Sequence, residues 1–166
     1  AAWTKINQDY GQLSLEEVLK PAINLAENGY IVADVIADMW KREAEKLKKD
    51  CDCKDLFLKE GTPYSKGEIH FQPNLAKTLR VISKSGNSGF YDGWVAEDIV
   101  SKLKSYGGSH TLKDFSSLSV EYVEPIFTNY RGYDVYECPP NGQGIVALMI
   151  LNILEQFDLG SFEPDN

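Results

Sequence analysis

The sequence is short of cationic charge. Seventeen lysines and arginines face 25 aspartates and glutamates, for a formal net charge of −8 and a pI near 4.8. Nucleic acid and anionic membrane surfaces both call for a basic face, so neither is an expected partner. No apolar run approaches the roughly 20 residues that a membrane-spanning helix needs. The longest, Ile145 to Leu151, is core-sized. The amino end, AAWTKINQDYG, has neither the basic stretch nor the apolar stretch of a secretory signal. Neither Ala1 nor the polar tail ending at Asn166 reads as a natural terminus, and the expectation is a piece of a longer protein. Cysteine is scarce and odd in number, which argues against a complete disulfide framework. Cys51 and Cys53 sit in KKDCDCKD, but two thiols fall short of the four ligands of a structural zinc site. They are expected to be thiols in a charged loop between helices. No metal and no cofactor is expected.

Catalytic motifs are missing as well. The loop Asn141-Gly-Gln-Gly144 offers two glycines before an apparent helix, but Ile145-Val-Ala follows instead of the lysine and Ser/Thr of a phosphate-binding loop. A dinucleotide fingerprint would need a third glycine and a downstream acid. A hinge between two buried elements is therefore the expected role. His70 and His110 stand in separate loops. Either could act as a base, but solvent exposure is the expectation for both. The pairs Glu16/Glu17 and Glu97/Asp98 are neighbours on helices, where adjacent side chains point about 100° apart and do not converge. Arg131 could bind a carboxylate, yet a turn role is expected beside Gly132. No serine lies in a Gly-x-Ser-x-Gly elbow.

What is present is a globular composition, 43% hydrophobic and 25% charged, in a chain long enough for one domain. Trp3, Ile6 and Tyr10 fall on one side of a helix that Gly11 stops. Ser14-Leu-Glu-Glu17 is a capping box opening a second helix with Leu15, Val18, Leu19, Ile23, Leu25 and Ala26 in period. Pro21 should kink it or divide it, and Gly29 suits its end. Val32 to Lys49 is predicted as a helix with a stripe of Val35, Ile36, Met39 and Trp40. Leu56 to Gln72 reads as a loop-rich excursion. A helix from Pro73 or Asn74 to Lys84 follows, with Leu75, Leu79 and Ile82 inside. Another spans Val95 to Tyr106, and Thr111-Leu-Lys-Asp114 caps a short one. The period then changes to that of strands, with Val120, Tyr122 and Val123 leading into a hairpin around Tyr130-Arg-Gly-Tyr133. Gly144 to Phe157 is predicted as the last helix. In Ile145-Val-Ala-Leu-Met-Ile-Leu151 every residue is apolar, whereas a one-sided surface helix would break the run every third or fourth position. This helix wants cover on all sides. The fold class is α+β, mostly α-helical with a β-hairpin near the C-terminus. It divides into a helical segment, 1–118, and a hairpin plus buried helix, 119–166, together one truncated domain.

The phrases YGQLSLEEVLKPAINLAENGYIV, FLKEGTPYSKGE, QPNLAKTLRVI, FYDGWVAEDIV, YGGSHTLKDF and NYRGYDVYECPPNGQGIVALMILNILEQFDL follow one another in an order that resembles the γ-glutamyltranspeptidase family. The specific marks are Pro21-Ala22, Asn74-Leu75-Ala76, Phe90-Tyr91, Gly107-Gly108, Tyr130-Arg-Gly-Tyr133 and Pro139-Pro140, and they cover nearly the whole chain. Asn141-Gly-Gln-Gly144 is similar to a branch that includes acylases. The resemblance implies a four-layer αββα N-terminal-nucleophile hydrolase. Such a proenzyme cuts itself into large and small subunits, and the new N-terminal threonine attacks a γ-glutamyl amide such as that of glutathione, its own amine acting as base. Backbone amides would form the oxyanion hole. The likeness is to the later part of the large subunit. The five threonines, Thr4, Thr62, Thr78, Thr111 and Thr128, lie outside the nucleophile motif. Arg42, Arg80 and Arg131 do not match the arginine that holds the substrate carboxylate. No catalytic, substrate-binding or metal-binding residue is carried over, and the chain alone is expected to be inactive. Its expected partners are the rest of the large subunit, the small subunit and, for the isolated chain, further copies of itself. The competing reading is a free-standing helical module that binds a partner helix.

Overall fold

Ser14 begins the element on which the first unit is built. Its hydroxyl accepts from the Glu17 amide at 3.2 Å, and the Glu17 carboxylate accepts from the Ser14 amide at 3.0 Å. Two free amides of the first turn are thereby satisfied. In the computed structural model, which describes residues 1–162, two units separate at Val120/Glu121.

The first unit runs α1 (Ala2–Tyr10), α2 (Leu15–Asn28), β1 (Tyr30–Ile31), α3 (Asp34–Leu47), α4 (Cys51–Phe57), β2 (Leu58–Lys59), β3 (Thr62–Pro63), β4 (Ile69–His70), α5 (Pro73–Ser85), α6 (Ser88–Tyr91), α7 (Trp94–Ser105) and α8 (Leu112–Ser116). Its core is the α2–α5 pair. Leu19, Ile23 and Ala26 recur at helical spacing and meet Ala76 and Leu79, with Leu15 and Ile82 at the margin. Arg80 and Glu27 pair across the same two helices. Helix α2 continues through Pro21 as one element. The ring removes one backbone donor, and burial of Leu19, Ile23 and Ala26 on both sides of it keeps the helix together. A second reciprocal box, Thr111 with Asp114, starts α8.

Several sequence expectations change here. The apolar stripe of α3 is largely uncovered, with Val35 and Met39 exposed, while Val32 just before the helix is fully buried. The supposed loop around the cysteines is helical. Asp50 caps α4 by accepting from the Cys53 amide at 2.9 Å, so both thiols sit in its first turn. The excursion after it is organised by two small antiparallel pairs, β2 with β3 and β1 with β4. Trp3, Ile6 and Tyr10 are also exposed, and the buried side chain of α1 is Thr4.

The second unit contains β5 (Ile126–Tyr130), β6 (Tyr133–Glu137), α9 (Gly144–Leu154) and a 3₁₀ turn at Leu159–Ser161. Val120, Tyr122 and Val123 precede the strands without joining them. Thr128 faces Val135 and Tyr130 faces Tyr133 in an antiparallel register, closed by Arg131 and Gly132, both with positive φ. Phe127 and Tyr136 stack on the outward face at 5.2 Å. Among the described residues the sheet has two strands, so each strand has one unpaired edge. Ala147, Leu148, Leu151 and Leu154, at the i, i+1, i+4, i+7 spacing, form the less exposed side of α9, and Leu148 alone is buried.

The glycine loop before α9 is a close-packed corner. A Cβ on Gly144 would lie 2.7 Å from the Cys138 carbonyl oxygen and 2.8 Å from the Glu137 Cβ, whereas one on Gly142 would meet nothing within 4 Å. Gly144→Val should therefore lower the stability of the hairpin–helix unit by about 1–3 kcal/mol, the usual cost of overpacking. Gly142→Ala should be nearly neutral. Urea midpoints that move equally for the two variants would refute this reading of the corner.

Candidate functional site

Among the described residues one cluster of side chains surrounds His70. Pairing of β4 with β1 sets Tyr30 opposite His70, and the turns of α3 and α4 bring Trp40 and Phe57 over it. Ring centroids lie at 5.6 Å for Tyr30, 5.0 Å for Trp40, 6.3 Å for Phe57 and 4.9 Å for Tyr64. The imidazole is completely buried, contrary to the expectation of a solvated loop histidine. The Gln72 side-chain nitrogen lies 3.2 Å from Nε2, and Nδ1 has no partner. Burial pushes the His70 pKa down, because an imidazolium in this box would give up its hydration. His110 is exposed, as its loop position predicts.

A second cluster joins the start of α4 to the end of α7. Tyr106 donates to the Asp50 carboxylate, Lys102 pairs with Asp52, and the Lys102 ammonium lies 3.8 Å from Asp50. The Tyr106 hydrogen bond, then the Cys53 amide, pull the Asp50 pKa down to about 2. Burial and the hydrogen bond to Asp50 push the Cys53 thiol up, which disfavours a reactive thiolate. These groups are mostly exposed, and they tie helices together without enclosing a substrate. Among the described residues no group of three or more His, Cys, Asp or Glu side chains is placed to hold a metal ion.

The remaining candidates are structurally occupied. Glu17 belongs to its capping box, and Glu16, Glu97 and Asp98 are exposed. Arg131 clamps the second unit. Its amide donates to Glu155 Oε1 at 3.2 Å, its guanidinium donates to the Phe157 carbonyl at 3.1 Å, and it lies over the Tyr130 ring. Arg42 lies 3.6 Å from Asp38. Among the threonines, Thr78 donates to the Asn74 carbonyl at 3.1 Å, Thr111 is a cap, Thr128 bonds Asn152 and Thr4 is buried. The structure brings none of the sequence candidates together into a nucleophile–base pair. The enclosure of His70 was missed. Its signal was the run of aromatics, Tyr30, Trp40, Phe57 and Tyr64, which bracket a segment that looks polar otherwise.

One exposed helix face is apolar. On α9, Ile145, Val146, Met149, Ile150 and Ile153 are between 44% and 59% exposed. No helix of the described residues is long and apolar enough to cross a membrane.

An acylase and a transpeptidase share this fold. Cephalosporin acylase from Bacillus halodurans superimposes with a TM-score of 0.87 at 38% identity, over 99% of this chain and 32% of that one. The γ-glutamyltranspeptidase of Helicobacter pylori gives 0.87 at 34% identity, over 98% of this chain and 47% of that one. The chain belongs to the gamma-glutamyltranspeptidase family, whose model matches residues 1–166. Glutathione hydrolase proenzyme of Escherichia coli (strain K12) is 41% identical over 155 residues. That similarity covers 92% of this chain but 27% of the relative, so the chain spans under a third of its length.

Proposed function

We propose that the whole protein of which this chain forms part cleaves γ-glutamyl amides and passes the acyl group to water or to an amine. In this reading the work is done by an N-terminal threonine that the 166 residues do not contain. The observation that carries the proposal is the family match across the entire chain, supported by 41% identity to a glutathione hydrolase proenzyme. The chain itself serves as scaffold. Residues 1–118 supply helices, and 119–166 bring a hairpin and α9 to the αββα sandwich of N-terminal-nucleophile enzymes. The uncovered side of α9 supports that placement, because five large apolar residues point away from its own hairpin unit. The partners in this reading are the remaining large subunit and the small subunit. The isolated chain covers the same surface by self-association.

A second substrate class has specific support. The likeness to a cephalosporin acylase, at 38% identity, makes a different N-acyl amide the alternative to glutathione. The test is the ratio of kcat/KM for a γ-glutamyl anilide and for an N-acyl cephalosporin, measured with the intact, self-processed protein. The first reading expects the anilide to be favoured by at least about tenfold, which corresponds to roughly 1.4 kcal/mol of transition-state discrimination. Preference for the cephalosporin would establish the second. Absence of turnover with both would reject the enzymatic reading and favour the interaction module.

A further inference from the structure

We propose that His70 is an acid-operated latch: while the ring is neutral it fastens the segment from β2 to β4 against β1 and α3, and on gaining a proton it releases that segment. The inference is independent of the substrate reading. Its basis is the enclosure. Four aromatic rings, from β1, α3, α4 and the loop after β3, surround an imidazole with no exposed surface. One nitrogen has Gln72 beside it and the other has nothing. Either orientation of the Gln72 amide leaves Nδ1 alone. From either neutral tautomer, the doubly protonated ring would hold an N–H at Nδ1 with no acceptor and a buried charge together, both unfavourable unless satisfied.

The surroundings offer no compensating anion. The titratable groups that face the ring are the phenols of Tyr30 and Tyr64. The nearby carboxylates are paired elsewhere: Asp34 with Lys66 at 2.8 Å, Asp38 with Arg42 at 3.6 Å, and Glu68 with Lys59 at 3.0 Å. Burial is the cause of the imidazole's lowered proton affinity, with no charge acting on it. Cation–π attraction from Trp40 and the tyrosines would oppose release, so a direct measurement decides between the two.

The latch holds three identifiable backbone bonds. Val32 donates to the Glu68 carbonyl at 2.8 Å, Gly67 donates to the Val32 carbonyl at 2.9 Å, and Gln72 donates to the Ala26 carbonyl at 2.8 Å. The sign follows from linkage. A base whose folded pKa is lowered contributes stability that is full above the unfolded value, about 6.5 for histidine, and is lost as pH falls through it. With one proton involved, the loss cannot exceed about tenfold per pH unit.

The test is hydrogen exchange on the intact protein at pH 7.5 and 5.5, corrected for the intrinsic pH dependence of exchange. Protection of the Val32, Gly67 and Gln72 amides should fall several-fold more than protection in the α2–α5 core. In His70→Phe this excess loss should disappear. An equal loss in the variant, or no excess loss in the wild type, overturns the latch. Should His70→Phe fail to fold, titration of the wild-type imidazole by NMR decides: a midpoint below that of a free histidine supports release, and one at or above it shows that the rings hold the cation.

Discussion

Purified by itself, the 166-residue chain is expected to release no product from a γ-glutamyl anilide above the rate of buffer. The argument is chemical. Acyl transfer of this kind needs a side-chain oxygen next to a base, and removing the nucleophile from such a unit costs on the order of 10⁴-fold or more in rate. The chain's threonines are not poised as nucleophiles: Thr78 and Thr128 spend their hydroxyls on hydrogen bonds to Asn74 and Asn152, Thr111 starts a helix, Thr62 is exposed in β3, and Thr4 is buried in α1. Neither histidine can assist, since His70 is sealed in its aromatic box and His110 stands in solvent without a nucleophile. The control is the intact protein, which should turn the anilide over under the same conditions. Turnover by the isolated chain, surviving repurification, would sink the scaffold reading.

The same isolated chain should associate, and Ile150→Glu together with Ile153→Glu should return it to a monomer of 18.6 kDa by light scattering. Full burial of a large aliphatic side chain contributes about 1.5–3 kcal/mol. The five exposed on α9 are already about half covered, so two copies pressed face to face would gain roughly 10 kcal/mol before costs. Lost translational and rotational freedom removes at least about 4 kcal/mol of that. The remainder corresponds to a Kd no tighter than the ten-micromolar range. Net charge of −8 works in the same weakening direction. Association should therefore appear only in concentrated solution and grow stronger with added salt. A chain that stays monomeric well above that range would show that the apolar face of α9 needs no cover.

The legibility of this fold depended on whether its signals were local. The capping box of Ser14 with Glu17 and the N-cap signal at Thr111 formed as read because each closes its hydrogen bonds within four residues. The hairpin was legible for the same reason, its Arg131-Gly132 turn fixing the register between flanking aromatics. The stretch around Cys51 and Cys53 was misread as a loop because KKDCDCKD looks like solvated surface, and the capping of α4 by Asp50 depends on backbone geometry that such a run does not show. The stripe on α3 was real as a pattern, yet apolar periodicity states what a helix wants to bury and says nothing of what lies there to cover it. Pro21 was expected to interrupt, and tertiary burial on both sides overrode the local preference. For the site, spacing along the sequence assembled no catalytic set. The His70 enclosure left only scattered aromatics as a trace, because it gathers residues from positions 30 to 72 by strand pairing, which has no short-range signature.

The hairpin's pair of margins, unpaired among the described residues, adds a consequence for handling. A two-sided ribbon offers backbone donors and acceptors left and right, so an incoming copy that docks on one side still leaves the opposite side available. Addition of that kind does not terminate, unlike a twofold pairing in which each surface satisfies its mirror. Given time at high protein concentration, the isolated polypeptide should drift from small reversible clusters toward fibrous or amorphous precipitate enriched in cross-strand structure.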